Sequence, residues 1–100
     1  MHLNDANLLR QQAWLDGAWV DADDGASLEV TNPATGVQLA TIPSMGAIET
    51  RRAIEAAVRA SEAWKSRTAE DRSRILRRWY ELMLQHQDDL AMLMTSEQGK

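Results

Sequence analysis

Near Pro43 the sequence changes the period at which its apolar residues recur, and that change limits the fold more than any other feature. Upstream, apolar residues come in short runs broken by turn formers; from Gly46 onward they recur at helical spacing. "AWLDGAWV" sets Asp16-Gly17 between Trp14-Leu15 and Ala18-Trp19. Both central residues of a two-residue hairpin turn need positive φ, so this pair predicts a hairpin with Trp14 and Trp19 on paired strands. "SLEVTNPATGVQLATIP" repeats the pattern, with Leu28 to Thr31 and Val37 to Ile42 flanking Asn32-Pro33-Ala34-Thr35-Gly36. Proline presets φ in that turn and glycine supplies the positive value it needs. An isolated hairpin is marginal in water, so these short strands need something else to pair with.

Downstream, Ile54, Ala57, Val58, Ser61 and Trp64 fall on one helical stripe, and this first helix is expected to end near Lys65-Ser66. Thr68 with Asp71 three residues later resembles a capping box and opens a second helix, in which Ile75, Leu76, Trp79, Leu82 and Met83 share a face. A third run carries Leu90, Leu93 and Met94. No Gly or Pro punctuates Gln85 to Asp88, so whether the second and third runs are one helix or two stays open. The reading is α+β: β-hairpins followed by two to three helices. Trp14, Trp19, Trp64 and Trp79 sit at strand and helix core spacing and are expected in a core rather than on a base-stacking platform.

At 100 residues the chain has room for one modest domain but not for a large enzyme. Its 44% hydrophobic and 26% charged residues are those of a globular protein, and no apolar run reaches the roughly 18 residues of a membrane span. "MHLNDANLLRQQAW" shows neither a basic start followed by an apolar stretch nor the acid-poor character of a transit peptide. There is no cysteine, hence no disulfide, no thiolate metal site and no thiol nucleophile within these residues. Residues 1–50 hold seven acids and only Arg10, whereas residues 51–100 hold eight acids and ten Lys or Arg. That slight excess in a chain of pI 5.0 is far from the basic balance of a nucleic-acid module, and no nucleic-acid partner is expected.

Candidate sites weigh toward structural roles. Arg74, Arg77 and Arg78 lie opposite the apolar stripe of the second helix, as solvated charge does. Arg72 falls inside that stripe and Glu97 inside the third, which suggests a structural ion pair between Arg72, or a neighbouring cation, and Glu97, or another acid, when the helices pack. His2 and His86 lack a local partner ligand. Asp23-Asp24 and Asp88-Asp89 look like loop and helix-start acids, and Gly99-Lys100 lacks the rest of a phosphate-binding loop. The ending "SEQGK" is abrupt, because the N–H groups that satisfy a helix's last carbonyls come from residues past its terminal glycine.

Taken in order, "WLDGAWV", "VTNPATG", "LATIP", "AIEAAVRASEAW", "DRSRILRRW" and "DDLAMLMTSEQGK" resemble the start of the aldehyde dehydrogenase superfamily, from Gln12 onward. The opening "LNDANLLRQQ" and the closing "HQDDLAMLMTSEQGK" look most like its bacterial, NADP-preferring branch that acts on succinate semialdehyde. The resemblance implies that residues 1–100 are the N-terminal portion of a longer chain, contributing hairpins and outer helices to the cofactor-binding domain of an α/β fold. It implies a cytoplasmic homo-oligomer that uses NADP to oxidise a small aldehyde. In such enzymes a cysteine thiolate attacks the aldehyde, hydride leaves to the nicotinamide, and a glutamate-activated water hydrolyses the thioester. No catalytic or cofactor-binding residue of that machinery falls within this stretch. The resemblance places one incomplete site here: a monovalent cation bound partly by the backbone carbonyls of Val30 and Thr31. The alternative reading is a self-contained helical interaction module without enzymatic activity.

Overall fold

The computed structural model describes all of residues 1–100. An N-terminal arm carrying a short 3-10 turn at Ala6–Leu8 leads into strands β1 (Ala13–Leu15) and β2 (Ala18–Val20). Strands β3 (Ser27–Thr31) and β4 (Gln38–Pro43) follow, then helices α1 (Ala47–Ser66), α2 (Ala69–Gln85) and α3 (Gln87–Gln98). The strands form two separate antiparallel two-stranded sheets, β1-β2 and β3-β4.

Turn chemistry sets both hairpins. Asp16 and Gly17 both have positive φ, 50° and 77°, which brings Trp14 opposite Trp19. Their rings meet edge to face with centroids 5.1 Å apart. In the second hairpin the Asn32 carbonyl accepts from the Gly36 N–H at 2.7 Å, and its side-chain Oδ1 accepts from the Ala34 N–H at 2.9 Å. Asparagine thus holds the turn while Gly36, at φ 75°, closes it. The β3-β4 register shifts between Val30 and Thr31.

Helix α1 starts at Gly46, which has no side chain to cap with; instead Glu49 reaches back, its Oε1 accepting from the Gly46 N–H at 3.4 Å. Its Oε2 accepts from the Asp23 N–H at 3.3 Å, so one buried carboxylate ties the helix start to the loop after β2. Arg52 grips Asp23 at 2.6 Å and Arg59 meets Asp16 at 3.1 Å, laying α1 along the first hairpin. Thr68 caps α2 by accepting from the Asp71 N–H at 3.1 Å. The question left open at Gln85–Asp88 resolves as a break at His86, whose φ of -106° and ψ of 20° interrupt the helical run without Gly or Pro. Helix α3 closes at Gly99 in the left-handed region, and the Lys100 N–H donates to the Thr95 carbonyl at 3.1 Å. A single residue after the glycine therefore suffices for the cap.

The tryptophans do not form a core. Trp14 and Trp79 are 62% and 61% exposed, and Trp19 and Trp64 are also exposed. The apolar stripes of α1 and α2 behave likewise: Ile54, Val58, Ile75, Leu76 and Met83 all face solvent. The residues α1 does bury are Glu49 and Ala56, roughly opposite its apolar stripe on the wheel. The periodicity located the apolar faces correctly, but nothing within these residues covers them. Only 7 of 100 residues are buried, the apolar ones being Leu15, Ala22, Ala40 and Ala56.

Candidate functional site

Three places bring chemically capable side chains together. The first is an open groove of about 600 Å³ between the end of α1 and α2, lined by Trp64, Arg72, Ser73, Leu76, Arg77 and Tyr80 among others. It offers aromatic and aliphatic surface, two guanidinium groups and the hydroxyls of Ser73 and Tyr80, with no carboxylate or histidine in the lining to act as a base. Arg72 does not pair with Glu97, which is exposed; its Nε is buried without a hydrogen-bond partner. The expected ion pair is thus not formed, because α2 and α3 meet end to end at His86 rather than side by side along these faces. Elsewhere along α2, Arg74 pairs with Glu70 and Asp71 and Arg78 approaches Glu81, which Arg77 also approaches from the groove. These are the solvated helix charges expected there; exposed pairs of this kind contribute less than about 1 kcal/mol each.

The second place is the loop before α1. The Arg52 guanidinium, hydrogen-bonded to Asp23, holds the Asp23 carboxyl below the ordinary carboxylate value of 3.8. Asp24 closes its own turn by accepting from the Ala26 N–H at 2.9 Å. Both acids are structural.

The third place is the start of α3. Asp89 is only 4% exposed, and each of its oxygens accepts a backbone N–H at 2.8 Å, from Asn4 and from Asp5. Those two bonds, followed by His86 and His2 nearby, hold its carboxyl below 3.8 against the opposing effect of burial. The helix-start position of Asp89 was legible; its reach across to the N-terminal arm was not. No group of three or more His, Cys, Asp or Glu side chains is placed to hold a metal. Val30 is half-buried and Thr31 exposed, at the point where the β3-β4 register slips.

The family model described as the aldehyde dehydrogenase family matches residues 19–100. The chain belongs to that family. It is 61% identical over all 100 residues to the glutarate-semialdehyde dehydrogenase of Pseudomonas putida, covering 21% of that protein. To the NADP(+) succinate-semialdehyde dehydrogenase of Escherichia coli it is 59% identical over the same 100 residues, again 21% of the protein. The crystal structure of an E. coli NADP-dependent enzyme superposes with a TM-score of 0.97 at 58% identity, over 99% of this chain and 21% of that one. The chain thus spans about a fifth of the length of the curated relatives it matches. The α+β order of two hairpins and three helices is that of the family over this stretch. The two named relatives differ in substrate by one methylene yet match almost equally, so identity here does not separate succinate from glutarate semialdehyde.

Proposed function

We propose that these residues are the opening portion of the cofactor-binding domain of a cytoplasmic, homo-oligomeric dehydrogenase that oxidises a four- or five-carbon dicarboxylic semialdehyde with NADP. The observation that carries this reading is the chain's surface. A compact chain of this mass exposes roughly 5,700 Å² by the usual scaling, whereas this one exposes 7665 Å². Its radius of gyration is 16.6 Å, against about 13 Å for a compact domain of 100 residues. A self-contained interaction module would have a core of its own. This chain presents the apolar faces of α1 and α2 outward instead, as an outer layer awaiting a sheet.

In that reading the chain contributes scaffold rather than chemistry. NADP would accept the hydride, and no residue of this stretch would touch it. The carbonyls of Val30 and Thr31 would supply part of a monovalent-cation site completed by other segments.

The test is to read the coding DNA past the Lys100 codon and assay the encoded product for NADPH formation. A frame continuing through a cysteine-bearing region, with turnover of succinate or glutarate semialdehyde, supports the proposal, and the ratio of kcat/KM for the two aldehydes assigns the substrate. The 100-residue chain alone should form no NADPH. A stop codon directly after Lys100, with hydrogen exchange protecting hairpins and helices equally, would favour the interaction module.

A further inference from the structure

Residues 1–12 make no strand, yet they are fastened at two points that belong to different parts of the molecule. At one end, the two oxygens of Asp89 at the start of α3 take the Asn4 and Asp5 N–H groups at 2.8 Å each. The arm then turns, with Asp5 capping the 3-10 turn by accepting from the Asn7 N–H at 3.0 Å. At the other end, Gln11 Oε1 accepts from the Thr41 N–H at 2.9 Å and from Thr41 Oγ1 at 3.4 Å, on the edge of β4. Gln12 Nε2 donates to Asp21 Oδ1 at 3.2 Å, beside the exit of the first hairpin. Leu3, Leu8 and Leu9 are half-buried, and no residue of the arm is fully buried. The opposite end of α3 abuts the second hairpin at Gly99, where an added Cβ would lie 2.8 Å from Pro33 Cγ.

We propose that residues 1–12 form a detachable clasp, closed by Asp89 and Gln11, that holds the start of α3 to the hairpins. The fastening rests on a few hydrogen bonds with no fully buried side chain in the arm, and segments with few buried apolar contacts open at low free-energy cost while the rest stays folded. Asp89 is suited to the task because both of its oxygens are used by neutral donors. His2, Asp5, His86 and Asp88 surround it, yet none forms an ion pair with it. Asparagine at this position would present an NH₂ group to one of the two N–H donors and leave that donor unsatisfied. The inference concerns this chain's own architecture and does not depend on the substrate assignment.

The experiment is hydrogen exchange by mass spectrometry on the full-length protein, comparing wild type, Asp89→Asn and a variant lacking residues 1–9. Trypsin cleavage after Arg10 provides a second readout. The clasp predicts that Asp89→Asn raises arm exchange and Arg10 cleavage at least tenfold while the hairpins and α1 keep their protection. It also predicts that the deletion raises exchange in the first turns of α3 alone, and that a synthetic peptide of residues 1–9 restores protection to wild-type Asp89 but not to Asp89→Asn. Arm exchange unchanged by Asp89→Asn, or α3 exchange unchanged by the deletion, would overturn the proposal. Equal loss of protection throughout in either variant would also overturn it, since the arm would then be part of the fold rather than a fastening on it.

Discussion

At the scale of single residues, the positions most sensitive to change are set by backbone geometry and by carboxylates held in hydrogen bonds. Gly99 combines a φ of 71° with backbone and side chain of the Pro33-Ala34 turn within 3.2 Å of where a Cβ would stand. Gly17 has a similar φ of 77°, but open space around it. Gly17→Ala should therefore cost only the left-handed penalty of about 1–2 kcal/mol, while Gly99→Ala should cost about 2–4 kcal/mol, overpacking being added, or else unwind the last turn of α3. Urea midpoints and amide exchange near Thr95 distinguish the two. Asp89 and Asp23 both have depressed carboxyl values in the folded chain. Their contribution to stability is complete above the unfolded value of 3.8 and is lost as pH falls through the lower folded value. Acid unfolding followed by circular dichroism should show stability falling below pH 3.8. That slope should be shallower in Asp89→Asn and in Asp23→Asn.

At the scale of elements, each helix is specified locally at its ends and left unfinished along its sides. Thr68 satisfies one of the four free N–H groups of α2, so Thr68→Ala should lower stability by about 1 kcal/mol and fray the first turn of α2 in exchange experiments. The side of the same helix tests what covers it. Leu76 is 52% exposed. Leu76→Ala in the isolated chain should change stability by less than about 0.5 kcal/mol, as surface changes do. In a longer chain carrying the rest of the family fold the same substitution should cost about 2–5 kcal/mol, as a buried leucine does. Equal effects in both settings would mean that the α2 face stays in solvent.

At the scale of the whole molecule, the chain measures 48 × 35 × 18 Å, a plate rather than a ball. The charge division between its halves maps onto that plate: Asp16 and Asp23 of the acidic half meet Arg59 and Arg52 of the basic half across the α1–hairpin contact. Those pairs are exposed and give register more than stability. The surplus of apolar surface has a direct readout. The 100-residue chain should bind a hydrophobic dye strongly, and acrylamide should quench all four tryptophans, whereas a chain carrying the rest of the family fold should shield Trp64 and Trp79. No helix is long and apolar enough to cross a membrane, so the exposed stripes do not form a bilayer span.

What the sequence by itself determined is local: the two turns, the end of α1, the cap at Thr68 that opens α2 and the faces on which apolar residues gather. Each depends on φ preferences or hydrogen bonds between residues a few positions apart, and these are written in residue order. The family likeness was legible for the same reason, since six short motifs carry it in order. Tertiary structure decided what spacing cannot encode. A helical wheel shows which residues share a face but not whether anything packs against it, so Trp14, Trp64 and Trp79 sit at core spacing and yet face outward. It equally cannot show that Asp89 meets residues some 85 positions away, that Arg72 and Glu97 stay apart, or that Gly99 rests on the Pro33 turn. Those pairings depend on the path of the whole chain through space, and burial is a property of that path.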